Sequence, residues 1–247
     1  GLIHTGVKKG DRVCILAQTS IFWSQFDLSI LSAGAITVPV YPTNPPEDTA
    51  FIINHSEAAV LFVDDFKNLQ KLASIAKDCP KLKKVIVNFE LRAEDVKAPF
   101  EILSWNALHD LGLNEELSLG ARVDAFLADA KPEDVFTICY TSGTTGLPKG
   151  VVLTHHNVLF EATCSLRVSG DHDQIVFLSY LPFAHIAERL LGMYIPQELN
   201  TPLLVGGLVA RIGSTVYDGS VMPVNATFRK GFQQISAPRS CTSARRA

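Results

Sequence analysis

Between Tyr140 and Gly150 the chain reads Tyr-Thr-Ser-Gly-Thr-Thr-Gly-Leu-Pro-Lys-Gly, a polar run set between two apolar stretches. These residue types, in this density, can hold phosphate. Gly143, Gly146 and Gly150 allow close approach of backbone to an anion, the hydroxyls of Thr141, Ser142, Thr144 and Thr145 donate hydrogen bonds, and Lys149 adds a point charge. Two familiar phosphate loops are excluded by the order of the residues. A Walker A loop needs a glycine before its lysine and a hydroxyl after it, and here Pro148 and Gly150 hold those positions. The Gly-x-Gly-x-x-Gly dinucleotide fingerprint occurs nowhere in the chain.

A second group of reactive types lies between Ser179 and Arg189, where His185 follows Leu-Pro-Phe-Ala and precedes Glu188 and Arg189. An imidazole there can donate a hydrogen bond to developing charge, and Glu188 and Arg189 read as a structural pair on one helix. His155 and His156 are adjacent and cannot both face one ion from a regular helix, and no cysteine or carboxylate cluster completes a metal site. They read as helix-start residues. Cys139 precedes the loop with no histidine near it in sequence to make it a nucleophile.

Positioning these groups falls to an alternation of strands and helices. Residues 12–18 form an apolar run suited to a buried strand, Ser20 offers an N-cap for a helix over 21–32, and a second strand covers 36–41 before Pro42. The pattern continues with a helix over 47–55, a strand over 59–63, a helix over 66–79 and a strand over 84–89. The fold class expected is α/β, mainly parallel sheet layers flanked by helices. Residues 90–133 are weakly patterned, with helices expected near 103–111 and 118–128 decorating the surface. Strands over 134–140 and 150–153 flank the glycine and threonine loop, a helix follows over 155–168, then a strand over 174–181 and a helix over 186–199. Phe22, Trp23 and Phe26 lie at helical spacing and read as core.

From residue 200 the character changes. Arg211, Arg229, Lys230, Arg239, Arg245 and Arg246 stand against Asp218 alone among the acids of 208–247, and sustained periodicity is lost. The division expected is residues 1–199 as one partial domain and 200–247 as an atypical basic tail that packs differently from the rest.

A net charge of −3 gives no global attraction to nucleic acid, so recognition of phosphate must be local and nucleic-acid partners are disfavoured. The five cysteines are far apart, with no Cys-x-x-Cys, which suits reduced thiols in a cytoplasmic setting. No apolar run is long enough to cross a bilayer. Peripheral membrane contact stays open, and oligomeric state is not written in the sequence.

The run Tyr140 to Val151 resembles the ATP-phosphate loop of the adenylate-forming superfamily, which includes acyl-CoA synthetases, luciferases and peptide-synthetase adenylation domains. That likeness sets aside a plain solvated turn of the same composition. The segment 179–189, together with 34–47 and 55–58, resembles the long-chain fatty acyl-CoA synthetase branch over roughly residues 1–199. The resemblance implies that a fatty acid carboxylate is joined to AMP with loss of pyrophosphate and then passed to the thiol of coenzyme A. It implies Thr141, Ser142, Gly143, Thr144, Thr145 and Gly146 on the β- and γ-phosphates of ATP, Lys149 beside them, Thr141 near Mg2+, and His185 as the catalytic residue near the α-phosphate and the carboxylate. Fatty acid, ATP and coenzyme A are the partners expected.

The Tyr-Gly-x-Thr-Glu stretch, the ribose-binding aspartate and the hinge typical of such enzymes have no match here, and Tyr217-Asp-Gly219 is too weak to stand in for them. Without these segments, the chain is expected to be an amino-terminal piece of a fatty acid–CoA ligase that lacks the carboxy-terminal domain and is inactive alone, and Gly1 in place of methionine suggests that its own start is missing as well. The alternative expectation is a truncated, non-catalytic nucleotide- or partner-binding protein.

Overall fold

The apolar runs bounded by turn residues become strands, and what lies between them becomes helix, in a computed structural model that describes residues 1–91, 96–141, 146–169, 177–179, 181–196, 203–205 and 220–221. In chain order β1 (Arg12–Leu16), α1 (Ile21–Ser32), β2 (Ile36–Val40), α2 (Pro46–Ser56), β3 (Val60–Val63), α3 (Phe66–Ser74), β4 (Lys84–Val87) and β5 (Glu101–Ser104) are followed by α4 (Trp105–Asn114) and α5 (Glu116–Asp129). Then come β6 (Val135–Thr141), β7 (Lys149–Thr154), α6 (His155–Ser169), β8 (Phe177–Ser179) and α7 (Ile186–Arg189), with β9 (Leu203–Val205) and β10 (Ser220–Val221) beyond. The larger sheet runs β5-β4-β3-β1-β2-β6-β7. Its first six members are parallel and β7 closes the edge antiparallel to β6. The smaller sheet is β10-β9-β8.

Local signals start the helices where the sequence places them. Ser20 accepts the Trp23 N–H at 3.2 Å to cap α1, and Asp65 accepts the Asn68 N–H at 2.6 Å to cap α3. Pro46 opens α2 with Glu47 and Asp48 in its first turn, favourable for the helix dipole. Strand β1 sorts the core by alternation. Val13 and Ile15 join Trp23, Phe26 and Ile30 on one face, while Cys14 and Leu16 join Ile52, Ile53, Leu69 and Leu72 on the other. Each such side chain buried contributes roughly 1.5–3 kcal/mol of transfer free energy.

Four expectations need correction. Residues 101–104 are an edge strand parallel to β4, not surface decoration, so the helix placed at 103–111 begins only at Trp105. Ser104 explains the boundary, since its hydroxyl caps α4 by accepting the Ala107 N–H at 3.1 Å. The helix expected over 66–79 ends at Ser74, followed by a 3-10 turn at Ala76–Asp78. The helix expected from 186 is α-helical over Ile186–Arg189, widens into a π turn over Leu190–Tyr194 and is α-helical again at 195–196. Residues five apart point about 140° apart on an α-helix, and the wider turn brings Arg189 and Tyr194 onto the same buried carboxylate. Phe22 is at the surface, at 38% exposure, whereas Trp23 and Phe26 are fully buried.

Of the strand expected over 174–181, Phe177–Ser179 is observed and 174–176 and 180 lie outside the described residues. Residues 197–199 of the next helix lie outside them too, as does most of 200–247. Among the described residues, no helix is long and apolar enough to cross a membrane.

Candidate functional site

Strand β6 delivers the loop to the carboxyl edge of the parallel sheet, where ligand sites of open α/β folds gather. Its register with β2 is Thr37↔Thr137, and two residues further on β2 carries Pro39, which has no N–H to give. On its other side β6 pairs with β7 along its length, and nearest the loop through Cys139↔Val151, Tyr140↔Gly150 and Thr141↔Lys149. Thr141 and Lys149 therefore face each other across the mouth of the hairpin, and both are exposed. Gly146 sits inside the turn at φ +100°, a left-handed backbone that L side chains rarely adopt. Ser142, Gly143, Thr144 and Thr145 lie outside the described residues.

The strand end before the loop is held by α2. The Tyr140 hydroxyl meets His55 Nδ1 at 2.7 Å, and the Tyr140 ring packs edge-on against both Phe51 and His55. Burial pushes the Tyr140 phenol up to about 12, with Cys14 adding to the rise and Arg12 opposing it, so the phenol keeps its proton. Gly150 serves this anchor. A Cβ there would lie 3.0 Å from Ile138 and 3.3 Å from the Tyr140 ring, so the glycine makes room for the tyrosine.

His185 occupies a different element on the same edge. It is the N-cap of α7, its Nδ1 accepting the Ala187 N–H at 3.2 Å, and its side chain is exposed. With Nδ1 used as an acceptor, the neutral ring carries its proton on Nε2. The imidazole thus presents a donor outward. Just beyond the carboxyl end of β1, Thr19 donates to Leu181 O at 2.8 Å and accepts the Phe183 N–H at 2.9 Å, fixing the approach to His185.

Behind His185 lies a buried charge network. Arg189 is 0% exposed, its Nη2 2.7 Å from Asp27 Oδ1 and its Nη1 donating to Thr137 Oγ1 at 2.9 Å. Tyr194 donates to the other Asp27 oxygen at 2.7 Å, and the Thr137 hydroxyl in turn donates to Thr37 O at 2.7 Å. The guanidinium also lies over the rings of Trp23, Phe136 and Tyr194 at 5.2, 5.4 and 5.4 Å. Burial opposes the charge on Arg189, but Asp27, with Tyr194 and Cys139, outweighs it and raises its pKa. Glu188 points elsewhere and accepts from Ser179 Oγ at 2.7 Å. The expected pair of Glu188 and Arg189 is thus replaced by two separate buried partnerships, because adjacent helix residues face different directions.

Cys139 is buried, and its thiol is pushed up chiefly by desolvation, which argues against a reactive thiolate. No group of three metal-ligating side chains occurs among the described residues. Thr141 offers one neutral oxygen, too little by itself to hold a resident ion.

Sequence reading missed His55, Thr19, Asp27 and Thr137 as positioning groups. Asp27 alone carries a signal: it lies on the apolar face marked by Trp23, Phe26 and Ile30, where a carboxylate requires a buried partner.

The fold of the chain is that of known CoA ligases. It superposes on the anthranilate CoA ligase AuaEII, solved in complex with anthranoyl-AMP, with a TM-score of 0.62 and 22% identity over 79% of this chain and 35% of that one. The N-terminal domain of FACL13 from Mycobacterium tuberculosis gives 0.55 and 22% over 76% and 42%. In sequence, the long-chain-fatty-acid–CoA ligase ACSBG2 of Rattus norvegicus is 32% identical over 240 residues, 95% of this chain and 35% of that protein. FadD15 of Mycobacterium bovis, a long-chain-fatty-acid–CoA ligase, is 33% identical over 78% of this chain and 30% of its own length. The chain spans about a third of the length of these curated relatives. The family described as AMP-binding enzyme matches residues 1–204, and with the loop, the sheet and the relatives in agreement, the chain belongs to that adenylate-forming family.

Proposed function

We propose that this chain is the phosphate-side part of an ATP-dependent long-chain fatty acid–CoA ligase. One observation carries the reading: the hairpin mouth at the carboxyl edge, with Thr141 opposite Lys149 and a left-handed glycine between them. The relatives named above as long-chain-fatty-acid–CoA ligases, and a neighbour of like fold crystallised with an acyl-adenylate, support it.

In this proposal ATP enters with its magnesium. The backbone and hydroxyls of Thr141, Ser142, Gly143, Thr144, Thr145 and Gly146 bind the β- and γ-phosphates, Thr141 lies nearest the magnesium, and Lys149 offsets phosphate charge. A fatty acid carboxylate oxygen attacks the α-phosphorus, and the bond to pyrophosphate breaks. His185 donates from Nε2 to an α-phosphate oxygen of bound ATP and to charge developing on the carboxylate, a geometry that its Nδ1 cap favours. The coenzyme A thiol, losing its proton, then attacks the acyl carbonyl and AMP leaves. Residues 1–199 form the working part in this proposal, with 200–247 as a basic tail outside it, and turnover belongs to the whole protein.

Calorimetric titration of the chain with MgATP tests the loop. Thr144→Ala is expected to weaken binding about tenfold, the equivalent of ~1.4 kcal/mol, with the far-ultraviolet circular dichroism spectrum unchanged. Equal affinity in the two proteins rules the loop out.

A further inference from the structure

The span from Thr19 to Asp27 and the span from Leu181 to Arg189 run alongside each other. Thr19 bonds Leu181 O and Asp27 bonds Arg189, each pair 162 positions apart in sequence. Between these contacts Trp23 packs against the fully buried ring of Phe183, with centroids 5.4 Å apart. His185 lies inside this double tie, two residues after Phe183 and four before Arg189.

We propose that the turn before α1, together with α1 itself, is a clamp that aims the His185 imidazole, with Thr19 and Asp27 as its positioning residues. This rests on the role given to His185 under Proposed function. Each end of the clamp has its own chemistry. At Thr19 a single hydroxyl serves both a carbonyl and an amide of the same turn, so the main chain at 181–183 has one placement that satisfies both. At Asp27 two carboxylate oxygens are taken by Arg189 and Tyr194, which sets the rotation of α7 and of the π turn behind it. Gly192 completes the fit. A Cβ there would come within 2.9 Å of both Glu188 Oε1 and Ser179 Oγ, so any side chain at that position would have to displace the Ser179–Glu188 hydrogen bond that ties α7 to β8. An exposed histidine on a four-residue helix would otherwise have little to direct it, since so short a helix is marginal by itself.

Removing Asp27 strands a buried guanidinium and threatens the fold, so Thr19 carries the test. Thr19→Val keeps the shape and loses the hydroxyl, and Thr19→Ser restores it. Amide hydrogen exchange on the 247-residue chain is expected to quicken about tenfold at Phe183 and Ala187 in Thr19→Val, with protection in β1–β3 unchanged and recovery in Thr19→Ser. MgATP titration is expected to show a several-fold loss for Thr19→Val that disappears when His185→Ala is already present. Unchanged exchange at Phe183 and Ala187 overturns the clamp, as does a uniform rise across the sheet. A titration loss that persists in full without His185 shows Thr19 acting on the fold alone and also overturns it. If His185→Ala binds MgATP as the parent does, or the parent does not bind it, the functional reading fails, and the exchange data decide the tie between α1 and 181–189 independently.

Discussion

The hairpin carrying Thr141 and Lys149 and the segment carrying His185 share one edge of the sheet and are secured in opposite ways. Next to its mouth the hairpin is tied to α2 through Tyr140, by the hydrogen bond to His55 and edge-on packing against Phe51, and the mouth itself is exposed. The His185 segment is anchored from behind by a charge pair with no solvent exposure at all. A group that must close around a flexible triphosphate gains from loose attachment, whereas a lone donor aimed at one atom gains from a fixed mount. On the proposed reading, the two attachments match the two tasks.

The sharpest way to break this contrast is to attack the buried mount. Arg189→Met leaves the Asp27 carboxylate buried with Tyr194 as its remaining donor, and is expected to cost about 3–5 kcal/mol in urea unfolding. The double variant Asp27→Leu with Arg189→Met buries no charge and is expected to regain much of that loss. A single-variant cost below about 1 kcal/mol would mean the pair is not what secures the segment.

The turn before Thr19 has a pH-dependent support. Asp64 Oδ2 accepts the Gln18 N–H at 2.7 Å, and burial pushes the carboxyl up from 3.8 to about 6, the Gln18 bond opposing and Asp65 adding to the rise. A raised carboxyl pKa means that the folded state holds a proton which the unfolded chain has lost. Stability from this group is therefore fullest below about pH 4 and declines as pH rises to about 6. Solvent screening of the part-exposed carboxyl limits the change to about 1 kcal/mol. Urea midpoints across that window should flatten in Asp64→Asn, and an unchanged slope would assign it to another group.

Next to the mouth of the hairpin, Tyr140→Phe deletes the hydroxyl and keeps the ring against Phe51. A loss of about 0.5–1.5 kcal/mol is expected, well under that of Arg189→Met. Chemical denaturation of the two variants side by side measures the ratio, and equal losses would erase the contrast between the regions.

What the sequence shows of this molecule follows the range of the interactions involved. Ser20 places the start of α1, and the glycine and threonine run marks the loop, because caps and turns are written within a few residues. Edge strand β5 was hidden because its four residues alternate weakly and lean on β4 for their definition. The π turn was hidden because it answers to Asp27, far away in sequence. The partners of Arg189 were misread for the same reason: adjacency suggested Glu188, while the fold supplies Asp27, Thr137 and three aromatic rings. The residues proposed for chemistry were thus legible, and those that hold them were not.

Lys149 sets the lower bound of the series. It is exposed and sits at the first position of an edge strand whose outer residues Val151 and Val152 are also exposed, so its side chain contributes little to the fold. Lys149→Gln is expected to change stability by less than about 0.5 kcal/mol. Its effect belongs to binding: removing one point charge facing phosphate weakens a screened attraction, so MgATP affinity should fall several-fold at low salt and less at high salt, as the Debye length shrinks from about 10 Å at 0.1 M to about 3 Å at 1 M. Titrations at the two salt concentrations separate the charge from the shape of the mouth. An affinity loss independent of salt would move Lys149 from the phosphates to the hairpin's structure, and the mouth would then rest on its hydroxyls and backbone.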